Sequence, residues 1–394
     1  MPGRYISQTW AHDPSLYAPP KYRKACRYEA FIPDVVNDFN PTIPAYLAGI
    51  VSDAEAATRS LNDRARPALR PLARLLLRTE SIASSKVEGL QVDARSIARA
   101  EAKAAVGKKV GPDVAEVLAN IEAMELAVDE TAARAAITVD GLVDIHGALM
   151  RRGLNSSIAG RIRDVQNWIG GNDYNPCGAD FVPPPPDHVV SLLADLCEFC
   201  NSDHLPPLIQ AAVAHAQFET IHPFEDGNGR TGRALIHVLL RRRGLAPSYV
   251  PPISVVLAAN KGRYIDGLTQ YRDNEVGEWI ERFAVAAARA ATLAERYLGR
   301  VHDIQEGWRA QLRRCADLRA DAAAWAVIDE LPGHPVITVP VATAVTGRSK
   351  SSTAVAVDQL VDAGILLPLS ESKRNRAWEA SGLLDLLADL EAAR

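Results

Sequence analysis

The sequence predicts a mainly α-helical fold, with a helical bundle broken once by a β-hairpin and followed by a small winged helix-turn-helix module. Three observations carry this. Apolar residues recur at helical spacing through most of positions 42 to 300. A stretch rich in glycine, asparagine and proline breaks the pattern between about 160 and 186. From about residue 315 the text turns to short helices and short β-branched runs.

Residues 1 to 40 are aromatic and proline-rich with weak periodicity, and read as an arm packed on the body. From 42 to 130 the text is helical, through "IPAYLAGIVSDAEAATRSLNDR", "PALRPLARLLLRTESIASSKVEGL" and "EVLANIEAMELAVDET". "TVDGLVDIHGALMRRG" reads as a capped helix that stops at Gly153. "GRIRDVQNWIGGNDYNPCGADFVPPPPDHV" alternates polar and apolar residues, holds a Gly-Gly-Asn-Asp turn and ends in four prolines. It predicts a short hairpin and an extended segment. Helices return from 188 to about 300. After "AAWAVIDE" come a β-branched run, a small helix, a turn at Gly347 and an amphipathic helix over about 350 to 363. A stop at Gly364 and two strand-like runs around "SESKRNR" complete the order of a winged helix-turn-helix. The expected regions are 1–110, 111–300 and 315–394.

The 394 residues suffice for two or three domains with cores. No apolar run is long enough to span a bilayer, so no membrane partner is expected. "MPGRYISQTWAHDP" lacks a basic start leading into an apolar stretch, which makes the cytoplasm the default compartment. A net charge of −4, from 44 basic and 48 acidic residues, argues against wholesale nucleic-acid binding. Arg348, Lys350, Lys373, Arg374 and Arg376 nevertheless cluster on the second helix and wing of the C-terminal module, where DNA phosphates are a candidate partner. Asp358, Asp362 and Glu371 dilute that patch. Five cysteines make no disulfide framework. Cys197 and Cys200 have CxxC spacing, but they lie in an apolar helical run without a second pair, and read as buried thiols.

The chemistry concentrates in "IHPFEDGNGRTGR", residues 221 to 233. A helix N-terminus leaves backbone N–H groups unpaired and carries partial positive charge. Glycines just ahead of it let the main chain approach an anion closely, so "DGNGR" reads as an anion cradle. Arg230 and Arg233 stand at i and i+3, on one helix face, within reach of one phosphate chain. Asp226 fits if a divalent cation lies between it and phosphate oxygens, as Mg²⁺ prefers. His222, four residues earlier and set by Pro223, is suited to take a proton from a hydroxyl. This is neither a P-loop nor a dinucleotide fingerprint. The Lys-Ser/Thr ending is missing, and the preceding "LIQAAVAHAQFETI" is helical.

"HPFEDGNGRTGR" fills every fixed position of HxFx(D/E)GNGRxxR and so resembles the Fic domain. "GRIRDVQNWIGG" with "FVPPPP" resembles that family's flap and proline segment. "PPISVVLAANKGRYIDGL" resembles its helix ending in a Tyr-Tyr pair, with Ile265 at the second position after Tyr264. The likeness covers about residues 80 to 290. It implies a Fic-type helical bundle with a β-hairpin flap, and transfer of AMP from ATP to a Ser, Thr or Tyr hydroxyl of a target protein, releasing pyrophosphate. His222 would be the general base, and Asp226 would hold Mg²⁺. Gly227, Asn228, Gly229, Arg230, Thr231, Gly232, Arg233 and Tyr264 would hold ATP, with Arg233 on the γ-phosphate. Phe224 is expected to plug the core beneath the loop, Glu225 to face outward, and His215 and His237 to be structural. The target is expected to dock along the flap edge by main-chain hydrogen bonds; a homodimer, and the chain itself as a target, stay open.

In "SIASSKVEGL", Ser84, Glu88 and Gly89 fit (S/T)xxxE(G/N), the inhibitory-helix pattern of many Fic proteins. The resemblance implies that residues near 80 to 92 restrain the site, with Glu88 on Arg233 in the γ-phosphate's place. Alternatives stay open at this stage: removal of AMP, with Glu88 orienting a water; transfer of another phosphate-containing group; or a DNA-binding regulator working through the winged helix.

Overall fold

The computed structural model describes residues 3–15, 17–63, 70–104, 109–153, 155–369 and 376–392. Among them the first two strands, β1 (Gly3–Trp10) and β2 (Cys26–Pro33), pair antiparallel with Gly3 opposite Pro33 and Trp10 opposite Cys26. The arm expected over residues 1 to 40 is thus a hairpin, its alternation weakened by the long connection between the strands.

Helices follow: α1 (Ala45–Asp63), α2 (Arg70–Val87), α3 (Ala94–Ala104), α4 (Pro112–Glu125), α5 (Val139–Met150), α6 (Pro186–Asn201), α7 (Pro207–Ile221), α8 (Asn228–Arg242), α9 (Ile253–Ala259), α10 (Lys261–Arg272) and α11 (Val276–Cys315). Their starts follow ordinary capping chemistry. Proline opens α4, α6 and α7, where a missing N–H goes unused. The Thr138 hydroxyl accepts from Gly141 N at the head of α5, and the Asn260 side chain from Arg263 N at the head of α10.

The axis of the bundle is α7, buried on every side from Leu208 to Ile221 and packed between α6, α8, α10 and α11. A helix buried all round must satisfy its polar side chains internally. Gln210 donates to the carbonyls of Phe199 and Ser202, Gln217 to that of Asp34, and Thr220 to that of Ala216. On one flank α2 packs against α4, α8 and α9. There Glu80 joins α2 to two neighbours: it accepts from Ser254 N and Oγ at the start of α9, and its Oε1 lies 2.9 Å from His237 Nε2 on α8. His237 is therefore structural, as expected from the sequence.

The flap differs from its expectation. Between α5 and α6 the hairpin is reduced to one bridge, Ile169 opposite Phe181. Side chains hold this segment instead. Asn167 Nδ2 donates to the Phe224 carbonyl and Gln166 Nε2 to that of Pro183. The N-terminal hairpin lies alongside, with Phe31 N donating to the Val182 carbonyl, Tyr22 stacked on Tyr174, and Cys26 joined to Cys177 by a disulfide. One bond is no framework, but the sequence does not foretell it.

The remaining elements are α12 (Ala323–Glu330), β3 (Val336–Thr338), α13 (Val339–Thr346), α14 (Lys350–Asp362), β4 (Leu366–Pro368), β5 (Ala377–Ala380) and α15 (Leu383–Ala392), with sheet order β3-β5-β4. The terminal α15 is an addition that the sequence reading lacks. Lys373, Arg374 and Glu371, assigned to the wing, lie outside the described residues. This segment sits on the far end of α11 and on α2 and α3. Arg95 of α3 pairs with Glu379 and Asp385, and Gln305 of α11 donates to the Ile328 carbonyl.

Cys197 and Cys200 lie buried in α6. Burial pushes the Cys197 thiol up to about 12, which suits an unreactive core residue. No helix among the described residues is long and apolar enough to cross a membrane.

Candidate functional site

The loop between α7 and α8 carries the motif. His222 ends α7 in the left-handed region at φ 50°, an uncommon conformation for a non-glycine residue. The surroundings enforce it: His222 N donates to the Phe218 carbonyl, while Arg163 Nε donates to the His222 carbonyl at 2.8 Å. Arg163 also donates to the carbonyls of Val165, Pro184 and Ile221, tying the flap to the base of the loop. The ring Nδ1 lies 3.4 Å from the Glu219 carbonyl. A carbonyl only accepts, so Nδ1 carries the hydrogen and Nε2 keeps its lone pair. Burial, then the charge of Arg163, holds the imidazole pKa down at about 4. The ring is therefore an unprotonated base at neutral pH.

Beyond it, Phe224 is fully buried and stacks parallel on His146 of α5 with centroids 3.8 Å apart. His146 Nδ1 accepts from Gly160 N, which leaves Nε2 to donate to the Asp226 carbonyl at 3.1 Å. This histidine sets the loop from below. It was missed at the sequence level, where a single histidine on an apolar helix carries no signal. Glu225 is exposed, as expected.

Gly227 stands at φ 76° as N-cap of α8, where a side chain would be strained and would meet Leu149 and Met150. The backbone N–H groups that follow open the cradle read from the sequence. The Asp226 carboxylate is half-exposed beside it, accepting from Gly227 N at 2.6 Å and Asn155 Nδ2 at 3.1 Å. No group of three His, Cys, Asp or Glu side chains gathers here or elsewhere among the described residues. A divalent cation at this place would thus take one carboxylate from the protein and the rest of its ligands from phosphate and water, the usual arrangement for Mg²⁺.

Three of the residues expected to hold ATP turn their side chains inward. Asn228 turns inward: its Oδ1 accepts from Phe224 N at 2.8 Å and its Nδ2 donates to the Phe224 carbonyl at 2.7 Å. It staples the loop rather than facing an anion, because these buried backbone groups need partners. The Thr231 side chain is fully buried, so it contributes only its backbone. The Tyr264 ring is also buried, with its hydroxyl 2.9 Å from His215 Nε2. His215 is packed in the core, as expected.

Arg230 and Arg233 reach carboxylates on different helices. Arg230 lies 3.4 Å from Glu116 of α4 and 3.8 Å from Asp226. Arg233 turns toward the end of α2: Nε donates to Ser84 Oγ, one terminal nitrogen to the Ser84 carbonyl, both at 2.9 Å, and the same nitrogen to Glu88 Oε1 at 2.6 Å. Glu88 stands just past α2, where Gly89 at φ 94° turns the chain away. Burial alone would raise the Glu88 pKa, but the charge and hydrogen bond of Arg233 outweigh it and hold the carboxyl below its ordinary value. An ionised carboxylate thus caps the inner arginine of the cradle.

Residues 136–240 match the model of the Fic/DOC family, and residues 51–129 match that of the Fic/DOC family N-terminal region. The chain is similar to the protein adenylyltransferase fic-1 of Caenorhabditis briggsae, at 33% identity over 121 residues, which are 29% of this chain and 21% of that protein. It is 34% identical over 118 residues to the protein adenylyltransferase Fic of Drosophila erecta, covering 29% of this chain and 22% of that one. It therefore spans about a fifth of the length of these curated relatives. A crystal structure of a Fic family protein from Desulfovibrio desulfuricans G20 shares the fold, with a TM-score of 0.52 at 20% identity over 87% of this chain and 98% of that one.

Proposed function

We propose that this chain, whose residues 51–129 and 136–240 match the Fic/DOC family models, transfers AMP from ATP to a hydroxyl of a protein and is restrained by Glu88. One observation carries the reading: a neutral imidazole with a free Nε2 stands beside an anion cradle whose inner arginine is capped by a carboxylate. A base next to a phosphate site suits attack by a hydroxyl on phosphorus.

In this reading the backbone of Gly227 to Gly229 and the guanidinium of Arg230 hold the α- and β-phosphates, and Asp226 holds Mg²⁺. When bound, the cation neutralises developing charge on the phosphate oxygens. Arg233, freed from Glu88, takes the γ-phosphate and so fixes the α-phosphate in line with the acceptor. His222 Nε2 removes the proton of a Ser, Thr or Tyr hydroxyl. That oxygen bonds to the α-phosphorus, the bond to the bridging oxygen breaks, and pyrophosphate leaves. The target docks against the flap, where Val165 and Ile169 are exposed. The cytoplasm, where Mg·ATP is plentiful, is the matching compartment.

The reading is tested by incubating the Glu88→Gly variant with Mg·ATP and candidate proteins, this chain included, and taking peptide masses. A hydroxyl-bearing side chain heavier by one adenylyl group is expected. An increment of a different phosphate-containing group, or the loss of a pre-attached AMP without any gain, overturns transfer of AMP.

For the C-terminal segment we propose a winged helix whose α14 meets DNA. Arg348, Ser349, Lys350 and Ser351 are exposed where α14 begins, and Val355 is exposed one turn on. Binding of the full chain to duplex DNA is expected to weaken steeply with salt. The double variant Arg348→Glu, Lys350→Glu should abolish the gel shift. A shift unaffected by that change counts against α14 as the contact.

A further inference from the structure

One buried polar group of α7 has no hydrogen bond to account for it. Glu219 is 7% exposed, lies one turn before His222, and its Oε1 has no hydrogen-bond partner among the described residues. Buried carboxyls without partners are costly and rare. Every other polar side chain along this helix finds a partner within the protein, and His215 does so through Tyr264.

Where Glu219 points is fixed by the glycines of α8. A Cβ at Gly232 would lie 2.7 Å from Glu219 Oε1, and a Cβ at Gly229 would collide with Glu88 Oε1 and lie 2.9 Å from an Arg233 terminal nitrogen. Positions 229 and 232 are neighbours on one helix face. Two carboxyl groups therefore rest on adjacent turns of the same bare strip of α8, flanking the Arg233 guanidinium. One is Glu88, which caps the arginine. The other is Glu219, close enough for the charge of Glu88 to act on it.

We propose that Glu219 is a positioning residue for the nucleotide: in its protonated form it donates a hydrogen bond to the terminal phosphate that takes Glu88's place on Arg233. This rests on the reading that Mg·ATP occupies the cradle. A phosphate oxygen arriving beside Arg233 needs a donor on the Gly232 side, and an ionised carboxylate there would repel it. A carboxylic acid is the one form of this side chain that fits. The proton comes from solvent as the nucleotide binds, and it stays on Glu219.

The surroundings favour that form. Burial raises the Glu219 pKa, Arg233 opposes it, and Glu88 adds to it, leaving the group at about 7. Arg272 and Tyr264 of α10 face the same space, with His215 on α7 itself, and Arg272 also draws the pKa down. A triphosphate in place of Glu88 brings more negative charge and pushes the pKa up further.

The test is calorimetry of Mg·ATP binding to the Glu88→Gly variant, in buffers of different ionisation enthalpy and over pH 7 to 9. Uptake approaching one proton per site is expected at the alkaline end. The dissociation constant should rise there toward about tenfold per pH unit, the slope of one linked proton. Adding Glu219→Gln, which donates at every pH, should abolish the uptake and flatten the curve while keeping tight binding. Adding Glu219→Ala should weaken binding at all pH values. Equal proton uptake with glutamate and glutamine, or equal affinities with glutamine and alanine, would overturn the proposal. The pH slope of Glu88→Gly alone decides the matter should either double variant fail to fold. If Glu88→Gly binds no Mg·ATP, the nucleotide reading itself falls, an outcome distinct from binding without linked protons.

Discussion

Replacing His222 with alanine is expected to lower AMP transfer by about 10³-fold, the scale of a positioned general base, while Mg·ATP affinity stays within about twofold. The split follows from the geometry. The groups that hold phosphate and metal in the proposed reaction lie at 226 to 233, with Glu219 as a positioning residue beside them, and none of their side chains uses the imidazole as a hydrogen-bond partner. The ring's own anchor is the Glu219 carbonyl, which leaves Nε2 as the proton acceptor. The pH profile carries a second signature. In the free protein, burial and Arg163 hold the imidazole at about 4. The base is thus unprotonated above that value, and the acid limb of kcat/KM should fall well below the usual histidine range. Bound triphosphate places negative charge beside the ring and raises its pKa, so the acid limb of kcat should lie at higher pH than that of kcat/KM. Both are read from initial rates with ATP labelled at the α-phosphate, in the Glu88→Gly background. An alanine variant with near-normal rate would mean that the hydroxyl loses its proton elsewhere.

The parts of this site legible in the sequence are the local ones. Gly227 and the arginines at i and i+3 declare themselves because a glycine turn and a helix face span only a few residues. The capping of Arg233 by Glu88 bridges 145 positions, and it was legible only through the motif shared with a family. His146 and Arg163 support the loop from 80 and 59 positions away, and nothing local marks them. The inward turn of the Asn228 side chain was not legible, because asparagine in a glycine turn suits an anion as well as it suits the backbone of Phe224. Glu219 was open to detection: it stands three before His222, on the same face of a helix too apolar to tolerate an idle carboxyl. The N-terminal hairpin was missed for a different reason. Its two strands are individually weak in pattern, and each is stabilised by the other across a connection too long to read as a turn.

Glu88→Gly is expected to raise AMP transfer by about 10- to 100-fold. The magnitude follows from what the carboxylate holds. One charge-assisted hydrogen bond to a buried arginine contributes about 1.5 to 3 kcal/mol, and each 1.4 kcal/mol is roughly a factor of ten in the competing occupancy. The change should leave Arg233 in place, because Nε and the terminal nitrogen keep their hydrogen bonds to Ser84. Nor should it undock α2. Glu80 anchors that helix to His237 and Ser254, and the C-terminal segment adds the Arg74–His334 contact at its start. The brake is therefore one side chain on a fixed helix, and its loss should show as rate rather than as unfolding. Glu88→Gln sharpens the point. It keeps the bulk in the γ-phosphate's place but loses the charge, so an intermediate rise means that charge and occlusion both restrain the site. Labelling by wild type equal to that by Glu88→Gly, at matched Mg·ATP, would remove the brake from the account and leave the Arg233 contact as a structural pair.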